Sequence, residues 1–299
     1  KVLWYRVRAF DEDSTEGWSE GQHIIKGASL EKSKKLAEAD QQLQSQATGA
    51  LRASSNLRLT PEQAEGNILL RLDNGANFEI LDWKYVPKEK KEEGPENEDI
   101  KAAEEGKEKV EKLDDKYDMW YKVRLDPSVS PAPTGWIYGR QVELQIPGDI
   151  VYYQTNNRKF VTWQKVDDID PVKGTLVGVE TDVKVTKPGS WVILSRTNDV
   201  KAIDGDEPDF DGILILGFDK YNEEHYTVYS TIRARKEVWG QLPLKVEGVG
   251  DEKNFTVKLR NEDTGEIEDV RFDLYKDSNK RLRTKIPAFL EKKSDTKKK

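Results

Sequence analysis

One phrase occurs twice in this chain, and it constrains the fold more than any single residue does. Trp4-Tyr5-Arg6-Val7-Arg8 is followed by Gly17-Trp18-Ser19-Glu20-Gly21, and Trp120-Tyr121-Lys122-Val123-Arg124 is followed by Gly135-Trp136-Ile137-Tyr138-Gly139. In the second copy Tyr121, Val123 and Leu125 alternate with Lys122 and Arg124, which is the period of a half-buried strand. Each copy therefore reads as two strands joined by a polar loop, and the pair is an internal repeat.

Residues 47–86 supply further strands ahead of the second copy. Leu51, Leu57 and Leu59 lead to Pro61, Ile68-Leu69-Leu70-Arg71-Leu72 forms an apolar run, and Asn77 to Trp83 alternates. Between the last two, Asp73-Asn74-Gly75 is a strong turn signal, because Asn-Gly accepts the positive φ that a tight hairpin needs. Taken in order, these pieces resemble a bacterial SH3 domain, whose form is a short L-N-V-R-x-x-P opening, then W-Y-x-V-x, a loop and G-W-V-x-G. The resemblance covers about 47–146, and 1–28 resembles the back half of a second copy. It implies small β-barrels and a binding role in the periplasm or outside the cell, toward a cell-wall glycan-peptide or an envelope protein. It also implies that Trp120 stands beside a ligand groove with Tyr121 and Tyr138, while Trp136 belongs to the core. The eukaryotic Ala-Leu-Tyr-Asp-Tyr segment is absent, and Gln141 and His23 stand where the family has a late tyrosine.

Between the two copies, Leu30, Leu36, Ala37 and Leu43 set a narrow apolar stripe, which predicts a linker helix over 29–46 with Ser29 at its start and Gly49 closing it. Residues 87–118 interrupt the strand pattern. From Lys88 to Asp118 there are 8 lysines against 13 acidic residues, which predicts a solvated insertion with a helix over 100–113. After Pro147-Gly148 ten short strand patterns follow, from Ile150–Tyr153 to Ile267–Leu274, so 147–290 is expected to be an all-β domain, sandwich or barrel. Residues 291–299 close the chain as a basic tail, expected to solubilise rather than to hold nucleic acid, since no basic face with stacking aromatics accompanies it. The predicted fold class is thus mainly β, with SH3-like small barrels, one linker helix and an all-β C-terminal domain.

The chemistry is bounded by what the composition lacks. With no cysteine and two histidines, the chain has no disulfide, thiolate metal site or cysteine nucleophile. His225 opens a strand after a turn, a place where histidine is usually solvated. No apolar run reaches the roughly 18 residues of a membrane span. No cofactor is expected, with calcium the one candidate: Asp204, Asp206, Asp209 and Asp211 gather hard oxygen donors in one loop, although Pro208 breaks any EF-hand spacing. A non-catalytic binding protein is therefore the leading expectation, and a carboxylate-based wall or carbohydrate hydrolase in 147–290 is the alternative.

Overall fold

Alternating apolar and polar side chains turn most of the chain into antiparallel strands. The computed structural model describes residues 2–10, 12–88, 110–155, 157–169, 187–249 and 252–291. It falls into two units, Lys1–Gln145 and Ile146–Lys299. The structure is mainly β, and none of the described helices is long and apolar enough to cross a membrane.

The first unit opens with a hairpin of β1 (Trp4–Arg8) and β2 (Glu16–Glu20), followed by a 3-10 turn over Gly21–His23 and by helix α1 (Gly27–Ala39). Then come β3 (Ala47–Leu51), β4 (Ser55–Arg58), β5 (Ile68–Leu72) and β6 (Asn77–Pro87). The single turn α2 (Leu113–Lys116) leads into β7 (Tyr117–Arg124), β8 (Thr134–Tyr138), a 3-10 turn over Gly139–Gln141 and β9 (Val142–Leu144). Strands β3 to β9 form one barrel-like antiparallel sheet in the order β5-β4-β8-β7-β6-β3-β9. Bulges between Ile80 and Asp82 and between Leu57 and Arg58 bend its strands, as an extra unpaired residue does. Its core holds Leu57, Ile80, Val123 and Ile137, all without exposed surface.

Residues 1–28, 29–46 and 47–146, read from the sequence as separate parts, belong to this one unit up to Gln145. Helix α1 is also shorter than its apolar stripe predicts. It ends at Ala39, and the Asp40 and Leu43 carbonyls beyond it, the first also accepting from the Leu43 N–H, are each 3.1 Å from the Arg124 guanidinium. Gly49 closes no helix: it lies in β3, where an added Cβ would stand 2.8 Å from the Phe78 ring. The helix is bound to the sheet through Ser33, fully buried, whose hydroxyl donates to the Thr134 carbonyl at 2.6 Å and accepts from the Thr134 N–H at 3.3 Å. The expected helix over 100–113 and most of the insertion lie outside the described residues.

The second unit consists of two four-stranded meanders. The first runs β10 (Arg158–Lys165), β11 (Trp191–Thr197), β12 (Gly212–Asp219) and β13 (Glu224–Ser230). The other runs β14 (Gly240–Val249), β15 (Glu252–Arg260), β16 (Ile267–Lys276) and β17 (Leu282–Lys285). Each strand pairs with its sequence neighbour. Val192, Leu194 and Ile213 of the first sheet share one core with Phe255, Val257 and Phe272 of the second, so the domain is a sandwich. Phe255 and Phe272 stack at 4.5 Å with 6° between ring planes; each such buried side chain contributes about 2–3 kcal/mol. Ile150–Tyr153, expected as a strand, is instead a 3-10 turn over Val151–Tyr153, since the Ile150 and Val151 N–H groups both donate to the Pro147 carbonyl. The expected strands Thr175–Val179 and Val183–Thr186, and the tail beyond 291, lie outside the described residues.

Candidate binding face

The register of β7 and β8 decides which aromatic side chains can meet a ligand. Trp120 pairs with Tyr138, Lys122 with Trp136 and Arg124 with Thr134, which places these six on one face; Tyr121, Val123 and Ile137 lie on the other. The second face is the interior. Tyr121 is buried there, edge-on to Trp83 at 6.2 Å, and burial pushes its hydroxyl pKa up.

Trp120, expected beside a groove, is only 2% exposed. Its ring lies 5.3 Å from that of Tyr138, and a side chain so large contributes most when it is removed from water. The sequence expectation for Trp120 and Tyr121 is thus corrected: both are core residues. Tyr138 alone of the three reaches the surface. Half-buried, it donates its hydroxyl to Asp118 Oδ1 at 2.8 Å and carries the Arg140 guanidinium 6.0 Å from its ring centre. Burial, and then the bond to Asp118, raise its pKa. Trp136, assigned to the core from the sequence, is half-exposed, with Lys122 Nζ 5.9 Å from its ring centre. The two tryptophans share one face, yet Trp120 is covered along it and Trp136 is not, a difference that strand alternation does not encode.

Beside this strip, Lys122 forms a largely buried pair with Asp40 at 2.7 Å. Asp82 is the third member of the cluster: burial raises its pKa, the Trp83 N–H and Lys122 act in the opposite sense, and Asp40 raises it further. Two carboxylates thus flank one ammonium. The signal available in the sequence was Asp82 itself, a carboxylate inside the run Phe78 to Trp83; nothing local ties it to Asp40.

The acidic loop does not converge on a cation site. Asp211 is fully buried and paired with Arg158 and, at 2.8 Å, Lys201. Burial tends to raise its pKa, but hydrogen bonds from Lys201 and Thr197 and the charge of Arg158 hold it below the usual carboxylate value. Asp204 meets Arg260 at 2.9 Å, Asp209 accepts the Leu242 N–H at 2.8 Å, and the Asp206 backbone is bridged to Ile203. Among the described residues no group of three or more candidate ligands can hold a metal ion. Of the four carboxylates proposed for calcium, those of Asp204, Asp209 and Asp211 thus meet cations or a backbone amide of the protein itself.

His225 also departs from expectation. Its side chain is 6% exposed, with Nε2 2.9 Å from the Gly189 carbonyl and 3.8 Å from Asp149, and it packs on Phe218. Position after a turn suggested solvent; instead the rings of Tyr153 and Phe218 and the Gly189 carbonyl enclose it. No protein-family model, curated protein or solved structure matches the chain.

Proposed function

We propose that this is a non-catalytic binding protein of the bacterial cell envelope, whose SH3-like barrel contacts wall glycan-peptide through the strip Tyr138, Trp136 and Arg140. The observation that carries the reading is the pairing of two half-exposed aromatic rings with a cation near each one's ring centre. Aromatic faces desolvate readily against the C–H faces of sugars and against extended peptides, and the exposed Arg140 guanidinium suits a ligand carrying carboxylates, whereas Lys122 is already held by Asp40. The sequence resemblance supplies the compartment and the ligand class. The hydrolase alternative draws on no such observation, since the buried carboxylates Glu207 and Asp211 are neutralised by Arg196 and by Arg158 with Lys201.

The test is retention on isolated peptidoglycan. Tyr138→Ala and Trp136→Ala are each expected to weaken retention about tenfold or more, as hot-spot truncations do. Tyr152→Ala, at a residue 89% exposed in the second unit, should match the parent. Equal retention by all three variants would remove the strip from the site, and absence of retention by the parent would remove the wall as ligand.

A further inference from the structure

The two copies of the repeated phrase adopt the same pairing. Trp4 lies opposite Glu20, Tyr5 opposite Ser19, Arg6 opposite Trp18, Val7 opposite Gly17 and Arg8 opposite Glu16; the second copy repeats all five with Trp120 to Arg124 and Tyr138 to Thr134. A 3-10 turn follows in both. Gly21 approaches the Leu3 carbonyl as Gly139 approaches that of Met119. The hairpins are therefore equivalent residue by residue.

Their surroundings are not. In the second copy β7 pairs on its outer edge with β6, and β8 pairs with β4. In the first, β1 and β2 form a sheet of two, with Trp4 51%, Tyr5 46% and Val7 40% exposed. A hairpin alone is barely stable, and apolar side chains on unpaired edges mark a surface that pairs. The glycines say where. A Cβ on Gly135 would stand 2.8 Å from the Arg58 carbonyl and the Leu57 side chain, because β4 crosses there. The equivalent Gly17 has nothing within 4 Å, although glycine in a strand costs stability and commonly marks the close approach of another backbone.

We infer that the open face of the β1–β2 hairpin takes a polypeptide segment built like Ala47–Pro87, with one strand crossing at Gly17 as β4 crosses at Gly135 and another pairing with β1 as β6 pairs with β7. In the second copy this segment precedes its hairpin in the chain. The completed first module presents Trp18 as the second presents Trp136.

The experiment joins a copy of residues 47–88 ahead of Val2 through a flexible linker and follows hydrogen exchange of peptides covering Trp4–Arg8 and Gly17–Glu20. Exchange in the fusion is expected to slow by at least about tenfold relative to the parent, since paired and covered strands open rarely. Gly17→Val should be neutral in the parent and abolish that protection in the fusion. The isolated 47–88 segment, added in trans, gives the same readout if the fusion does not fold. Unchanged exchange in both arms, or a Gly17→Val that is harmless in the fusion, would overturn the inference. Protection of the parent that rises with its concentration would overturn it as well, by making a second copy the occupant.

Discussion

The hairpins β1–β2 and β7–β8 share residue types, register and following turn, yet Trp4 is half exposed and Trp120 is sealed. Strand pairing is thus a local property of the phrase. Burial is a property of what is laid across it. The same contrast separates the charges. Glu16 braces Arg6 and Arg8 in the open copy, where solvent screens such pairs to little net value; in the covered copy Arg124 ties the end of a helix to the sheet through carbonyl acceptors.

The comparison is sharpened most by truncating the two tryptophans. Trp120→Ala should destabilise the first unit by about 4 kcal/mol in urea unfolding, while Trp4→Ala stays within about 0.5 kcal/mol; equal costs would end the distinction. Next, Gly135→Ala should cost about 1–3 kcal/mol through overpacking against β4, and Gly17→Ala should cost nothing measurable. Ser33→Ala should cost about 1–2 kcal/mol, because it strips the buried Thr134 backbone of its partner; exchange of the β1–β2 amides should be unaffected. The smallest effect is one of pH. The Asp82 carboxyl has a folded-state pKa above its ordinary 3.8, so its contribution to stability is present below that value and is lost as pH rises through the folded-state pKa. Asp82→Asn should flatten this slope in denaturation curves recorded across the acidic range, leaving hairpin β1–β2 untouched.

What the sequence disclosed follows the same division. Pairing was legible wherever turn chemistry and alternation coincide, as at Asn74-Gly75 and in both tryptophan phrases. The sandwich strands β11, β12 and β15 were legible from their apolar runs. Strand β17 was not, because Leu282-Arg283-Thr284-Lys285 holds one apolar residue and becomes a strand only along the edge of β16. The anchoring of the helix end was hidden because Arg124, which holds it, lies far along the chain. Of the three aromatic site candidates only Tyr138 remains at the surface, and Trp136 was misplaced, since alternation says which side chains share a face but not how far along it that face is covered. The partnering of Asp211 with Arg158 and Lys201 is likewise a tertiary fact, invisible in a run of acidic residues.

The pairing of β3 with β9, Gly49 opposite Leu144, bears on the order of assembly. In the second unit every strand finds its neighbour next in the chain, so hairpins can form one by one as polypeptide emerges from a ribosome or a translocation pore. The first unit's sheet cannot finish until Val142 to Leu144 arrives, and the entropy of closing that long loop must be met before the last edge is sealed. Sealing that edge should therefore be the last step in assembling the seven-stranded sheet.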